Sequence, residues 1–144
     1  AVGSKPDGSK WRVALRDPRN TEAYAGIFEI SNMAAVTSGG YERYFEQDGK
    51  TYHHILDPKT GYPAESGLIS VTILCEDGTT ADALSTALFV LGEDKAVEYW
   101  RAYGGFEAVL ITEDGRMLVT EGLRDSFRQS GDSYSLSYVQ RSGD

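Results

Sequence analysis

Three groups of residues in this chain of 144 residues have the types and spacing to do chemistry. Asp82, Ser85 and Thr86 stand three and four positions apart, so on a helix their side chains would share a face. A carboxylate with two hydroxyls is an all-oxygen set, suited to Mg²⁺ or Ca²⁺ rather than zinc. In the opening turns of a helix, free N–H groups and the positive dipole end would favour a phosphate beside such a cation. The same spacing has a plainer reading, in which Asp82 complements the helix dipole and Thr86 bonds back to a carbonyl one turn earlier. His53-His54 is the second group. Successive strand residues face opposite sides of a sheet, so only one imidazole would reach a given site, as general base or donor to phosphate. Its plainer reading is a surface histidine. The third group is Thr37-Ser38-Gly39-Gly40, where paired glycines would let the backbone approach a ligand closely. A simple loop or bulge accounts for it equally well, and no nucleotide-binding glycine fingerprint is complete here.

Two further features carry less chemistry. Cys75 falls in an apolar run with no second thiol or basic neighbour, which reads as a buried, inert residue. Tyr41, Tyr44, Phe45 and Tyr52 form an aromatic set that could stack on a flat ligand or simply pack across two strands.

The elements that must hold these groups are mostly strands. Lys10–Arg16 alternates polar and apolar residues, and Gly26–Ile30 and Ala34–Thr37 read as further strands. Asp48-Gly49 between Tyr41–Gln47 and Lys50–Leu56 is the strongest hairpin signal in the chain. Asp57–Pro63 follows as a rigid loop, and Leu68–Cys75, nearly continuous in β-branched and apolar residues, reads as a central strand. Thr79 or Thr80 would cap a helix running to about Leu91 and stopped by Gly92. Its core stripe is expected at Ala83, Leu84, Ala87, Leu88 and Leu91. A second helix spans about Glu93–Tyr103, and a hairpin of Phe106–Ile111 and Arg116–Val119 turns at Glu113-Asp114-Gly115. Beyond Gln129 the sequence is rich in Ser, Gly and Tyr and is expected to be a tail, partly disordered or adding one edge strand at Tyr134–Val139. Roughly seven or eight strands, mostly in hairpins, with two helices on one face make the class α+β with a largely antiparallel sheet.

Composition narrows the function. With 40% hydrophobic and 25% charged residues the chain is an ordinary globular domain. A net charge of −8 argues against general binding to nucleic acid or an anionic membrane. A lone cysteine rules out an internal disulfide framework, and no apolar run approaches the roughly 20 residues of a membrane span. The chain starts Ala1-Val2-Gly3 without an initiator Met, and Gly3–Lys10 reads as a turn within a longer protein, so a processed or partial chain is expected.

Two long segments, in order, carry a resemblance. Thr37-Ser38-Gly39, Tyr41-Glu42-Arg43-Tyr44-Phe45 and His53 through Pro63 (HHILDPKTGYP), followed by Thr80 through Gly92 (TADALSTALFVLG), resemble the ApbE-type FAD:protein FMN transferases. The resemblance covers the chain from Gly3 to about Phe127. It implies an ApbE-like fold related to T-folds, and a Mg²⁺-dependent enzyme that attaches FMN from FAD to a threonine of a target flavoprotein, releasing AMP. By the same resemblance Asp82 and Thr86 are metal ligands, with Ser85 between them sometimes implicated. His54 is the motif histidine, a candidate base for the acceptor hydroxyl, which Asp82 could also orient or deprotonate, and the segment through Leu56 lines the flavin nucleotide. Ser38 and Gly39 fall in the first motif and are expected on the cofactor-binding side.

Members of this family are longer, which implies that the chain is the carboxyl-terminal portion (residues 1–128, then a tail) of such a transferase. The alternatives are a flavin-binding or structural half-domain without catalysis and an FAD pyrophosphatase. An opened sheet edge would favour a homodimer or strand exchange. The family also implies an extracytoplasmic location, as a lipoprotein in its full-length form.

Overall fold

Leu68–Cys75 is apolar or small at nearly every position because the strand it forms is covered on both faces. Val71, Ile73 and Cys75 belong to one core and Leu74 to a second core on the opposite side. The computed structural model describes residues 1–41 and 44–142, without the side chains of Lys50 and Thr51. Glu42 and Arg43 of the expected hairpin and Gly143-Asp144 of the tail lie outside the described residues. In chain order the elements are β1 (Trp11–Arg16), β2 (Tyr24–Ile30), β3 (Ala34–Gly39), β4 (Tyr44–Gln47), β5 (Lys50–His53), β6 (Leu68–Cys75), α1 (Gly78–Leu91), α2 (Glu93–Tyr103), β7 (Glu107–Thr112), β8 (Arg116–Thr120), β9 (Phe127–Gln129) and β10 (Ser135–Val139).

A five-stranded sheet runs β10-β8-β7-β6-β3, and β1-β2-β9 form a three-stranded sheet. All pairings are antiparallel except β10 with β8, which is parallel. Both helices pack on one face of the larger sheet, as the α+β reading expects. The three-stranded sheet covers the other face, so the domain has three layers. Strand alternation divides β7 between the two cores: Ala108 and Leu110 face the helices, Val109 and Ile111 the smaller sheet.

The Asp48-Gly49 turn has positive φ at both residues, +52° and +74°, and closes the β4–β5 ribbon. Gly92, with φ +83°, ends α1 through its N–H on the Leu88 carbonyl (3.2 Å) and accepts the first bond of α2 from Ala96 (2.9 Å). The two helices therefore adjoin with no loop between them.

Three expectations need correction. The N-cap of α1 is Asp77, not Thr79 or Thr80: its carboxylate accepts from the N–H groups of both threonines and from the Thr80 hydroxyl. The core stripe of α1 is Ala81, Ser85, Leu88 and Phe89, while Ala83, Ala87 and Leu91 are exposed. The stripe was rotated because Ser85 and Phe89 face inward, and a serine in that row does not read as core. Ten strands form among the described residues instead of seven or eight, because short β9 and edge strand β10 add to the count. The segment from Gln129 is an ordered edge: β10 lies beside β8, and the Arg124 guanidinium sits 4.3 Å from the Tyr138 ring centroid.

Candidate functional site

The strand β3 and helix α1 bring the first and third sequence groups together. Ser38 Oγ lies 2.8 Å from Ser85 Oγ and 3.0 Å from Thr86 Oγ1, each pair sharing a hydrogen bond. Ser85 is fully buried, and its hydroxyl also donates to the Asp82 carbonyl at 2.9 Å. A buried hydroxyl must be bonded to be tolerated, and these partners satisfy it. It is therefore Ser85, not Thr86, that makes the backward bond to the helix backbone, while Thr86 faces Ser38.

Asp82 and Thr86 lie exposed on the rim of α1. Among the described residues the Asp82 carboxylate has no hydrogen bond or ion pair. The amino end of α1, by contrast, is already occupied. Hydrogen bonds from Thr80 hold the Asp77 carboxyl below its usual value, and this anion sits where a phosphate was expected. A cation must then be held from the side of the helix. No group of three or more His, Cys, Asp or Glu side chains converges among the described residues. The donor set is one free carboxylate beside a cluster of hydroxyls. Mg²⁺ is commonly held by one or two carboxylates with substrate phosphates and water completing its shell, so Asp82 with Thr86 fits that ion, and Ser85 serves as their buried support.

A cavity of about 630 Å³ opens beside this cluster. Its walls include Gly40, the residue after Gly39, and Phe89, one turn beyond Ser85 on α1. Tyr41, Tyr52, His53 and Tyr62 supply the rest of its aromatic lining, and Arg19, Glu65 and Glu113 its charges. Ser38, Gly39, His54, Leu56, Asp82, Ser85 and Thr86 are not among the residues lining it. The hydroxyl cluster and the cavity are neighbours along α1 and the end of β3, not one pocket.

The two histidines part at the end of β5, where His53 is the last strand residue and His54 lies in the bend that follows. His53 and buried Ile55 turn inward, whereas His54 and Leu56 are exposed, Leu56 by 52%. His53 meets Phe89 edge-on with ring centroids 5.6 Å apart, and its Nδ1 is buried with no hydrogen-bond partner among the described residues. Gly40 makes this position possible, because a Cβ there would come within 2.8 Å of His53 Cδ2. Gly39 serves packing in the same way: a side chain would meet the Tyr41 ring and the Ile69 carbonyl oxygen. His53 and Phe89 were missed as cavity residues, although the spacing of His53 from Ile55 carries the signal.

The loop after His54 is bonded to itself. Asp57 accepts from Lys59 through its carboxylate and from Gly61 through its carbonyl, both at 2.8 Å, and its N–H donates to Tyr62 at 2.8 Å. Leu56 and Pro63 form a bridge across the base. The hairpin aromatics pack on each other, Phe45 stacking on Tyr52 at 5.1 Å, so the cross-strand reading holds for that pair. Cys75 is buried and donates its S–H to the Asp77 carbonyl at 3.0 Å. Burial pushes its thiol up, which leaves it inert.

The chain is similar in sequence and fold to known proteins. The sequence profile of the ApbE family matches residues 1–110. The FAD:protein FMN transferase of Treponema pallidum is 43% identical over 120 residues, covering 83% of this chain and 33% of the relative. That of Escherichia coli K12 is 40% identical over 114 residues, covering 78% of this chain and 32% of the relative. A crystal structure of the ApbE protein from Thermotoga maritima superposes with a TM-score of 0.78 at 43% identity, covering 88% of this chain and 41% of that one. The chain thus spans about a third of the length of the curated relatives it matches.

Proposed function

This chain belongs to the ApbE family, and from that membership we propose that it handles the flavin nucleotide in an enzyme that transfers FMN from FAD to a threonine of a target flavoprotein. The observation that carries the reading is the meeting of the Ser38 hydroxyl with those of Ser85 (2.8 Å) and Thr86 (3.0 Å), one helical turn from Asp82, whose carboxylate has no partner among the described residues. The relatives' names supply the substrate and the transferred group. Dependence on Mg²⁺, a threonine acceptor and AMP as product are our finer proposal.

In the reaction, the acceptor hydroxyl oxygen bonds to the phosphorus on the FMN side of the pyrophosphate. The bridging P–O bond breaks and AMP leaves with the bond's electron pair. A bound Mg²⁺ would neutralise charge on the phosphate oxygens. Asp82 and Thr86 would hold that ion, and Ser38 and Ser85 would keep Thr86 in place. The exposed imidazole of His54 takes the proton of the acceptor hydroxyl as general base. The aromatic cavity seats a planar ring of the nucleotide, with His53 Nδ1 available to its polar edge.

Calorimetric titration of FAD with and without Mg²⁺, on this chain and on Asp82→Ala, tests the reading, followed by an assay for AMP. Metal-dependent binding abolished by Asp82→Ala supports it. Absence of binding under every condition overturns it for these residues, and binding without AMP release favours the half-domain alternative.

A further inference from the structure

Given the reading of the aromatic cavity as the seat of a planar nucleotide ring, on which this rests, we propose that Arg19 selects the flavin ring of FAD over its adenine ring. Arg19 lines the cavity and is the only Arg or Lys among the described residues that do so, beside the acidic Glu65 and Glu113. Two carboxylates against one guanidinium leave the cavity net negative, which disfavours a phosphate there. A neutral ring with its own donors and acceptors meets no such penalty.

The guanidinium is aimed, although the residue as a whole is exposed. Just past β1, the buried Asp17 accepts from the Arg19 N–H at 2.9 Å and from the Tyr134 hydroxyl through its carboxylate. The Arg19 head lies over the ring of the same Tyr134, with Cζ 5.5 Å from the centroid. Its Nη2 donates to the Glu113 carbonyl at 2.5 Å. A Cβ on Gly115 would stand 3.5 Å from Nη1, so the turn between β7 and β8 also limits the head. Three separate segments thus hold one cation, and little side-chain freedom is left to lose when a ligand binds. Of the five N–H donors of the guanidinium, a hydrogen bond among the described residues takes only the one on Glu113.

The geometry of the free donors decides between the two rings. A guanidinium offers parallel N–H groups, which match two acceptors side by side. Arginine therefore pairs with the adjacent acceptors of guanine, whereas adenine, with an amino donor beside its ring nitrogen, is matched by an amide side chain. The isoalloxazine ring carries two such acceptor pairs, each a carbonyl beside a ring nitrogen. Arg19 fits either pair, and meets a donor with a donor at the amino edge of adenine.

Titration of riboflavin, FMN and FAD by flavin fluorescence, and of AMP by calorimetry, tests this without Mg²⁺ or an acceptor protein. Its outcome is thus separate from that of the transferase reading, which AMP release decides. Arg19→Gln is expected to weaken riboflavin, FMN and FAD alike by about tenfold or more, and to leave AMP unchanged. Arg19→Lys keeps the charge without the paired donors and should recover little of the loss. In 1-deazariboflavin and 5-deazariboflavin a carbon replaces the nitrogen of one acceptor pair. One of the two should bind the wild type more weakly than riboflavin does, yet lose nothing further on Arg19→Gln. A merely structural effect of the substitution would instead add to the loss. Undiminished riboflavin affinity in Arg19→Gln overturns the proposal. So does a loss confined to FMN and FAD, which would put Arg19 on a phosphate, or an equal loss for AMP. Absence of riboflavin binding to the wild type overturns it too, whatever AMP release shows.

Discussion

Ser38 and Ser85, 47 positions apart in the chain, hold their hydroxyl oxygens 2.8 Å from each other. The candidate site therefore exists only when β3 and α1 have docked, and the same bond contributes to stability. Ser38→Ala removes the partner of a buried hydroxyl and should cost about 1–2 kcal/mol. In urea denaturation this appears as a lower midpoint at unchanged slope. An unchanged midpoint would mean that the pair is energetically neutral.

Asp82 separates function from folding. Its exposed carboxylate has no bonded partner among the described residues, so Asp82→Asn should alter stability by no more than about 0.5 kcal/mol. Metal-dependent FAD binding should fall at least about tenfold. Calorimetry and thermal melting on the same preparation check both halves of the expectation.

The two histidines should respond differently. His53→Ala strips the ring from Phe89 and enlarges the cavity, so both stability and FAD affinity should fall. His54→Ala removes an exposed imidazole and should reduce AMP release. Full AMP release by His54→Ala with loss in His53→Ala would move the base to the inward imidazole.

Asp77 makes the acid limb of stability predictable. Its carboxyl is held below the usual value of 3.8, chiefly by the Thr80 hydroxyl and then by the Thr80 N–H. The folded chain therefore binds this proton less readily than the unfolded chain. The resulting stabilisation is complete above the unfolded carboxyl's value and is lost as pH falls through the lower folded value. Asp77→Asn keeps a capping oxygen but should flatten the decline of melting temperature between about pH 5 and about pH 2. Asp77→Ala should lower melting temperature at neutral pH as well.

Much of the architecture was legible because it rests on local rules. Leu68–Cys75 has the bounds its apolar run predicts, Asp48-Gly49 turns the hairpin, and Gly92 and Gly104 end the two helices. What was not legible depends on residues far apart. β9 has only three residues, Phe127, Arg128 and Gln129, and is a strand because Gly26–Phe28 lies beside it. The inward face of α1 was misjudged because Ser85 is buried by partners on β3 and by its own helix carbonyl, which no periodicity reveals. Spacing grouped Asp82, Ser85 and Thr86 correctly, but their division into rim and interior followed from docking. His53 was underrated for the same reason, since the cavity it faces is completed by Phe89, 36 positions later.

The self-bonded loop from Asp57 to Pro63 also bears on the order in which the molecule assembles. Its bonds span only two to five residues, so closing it costs little chain entropy. The adjoining ribbon closes just as locally. This wall of the cavity can thus take shape early, whereas the hydroxyl cluster must await a long-range encounter between strand and helix. A chain slowed in that encounter would present a formed aromatic wall to nucleotide before it could hold an ion.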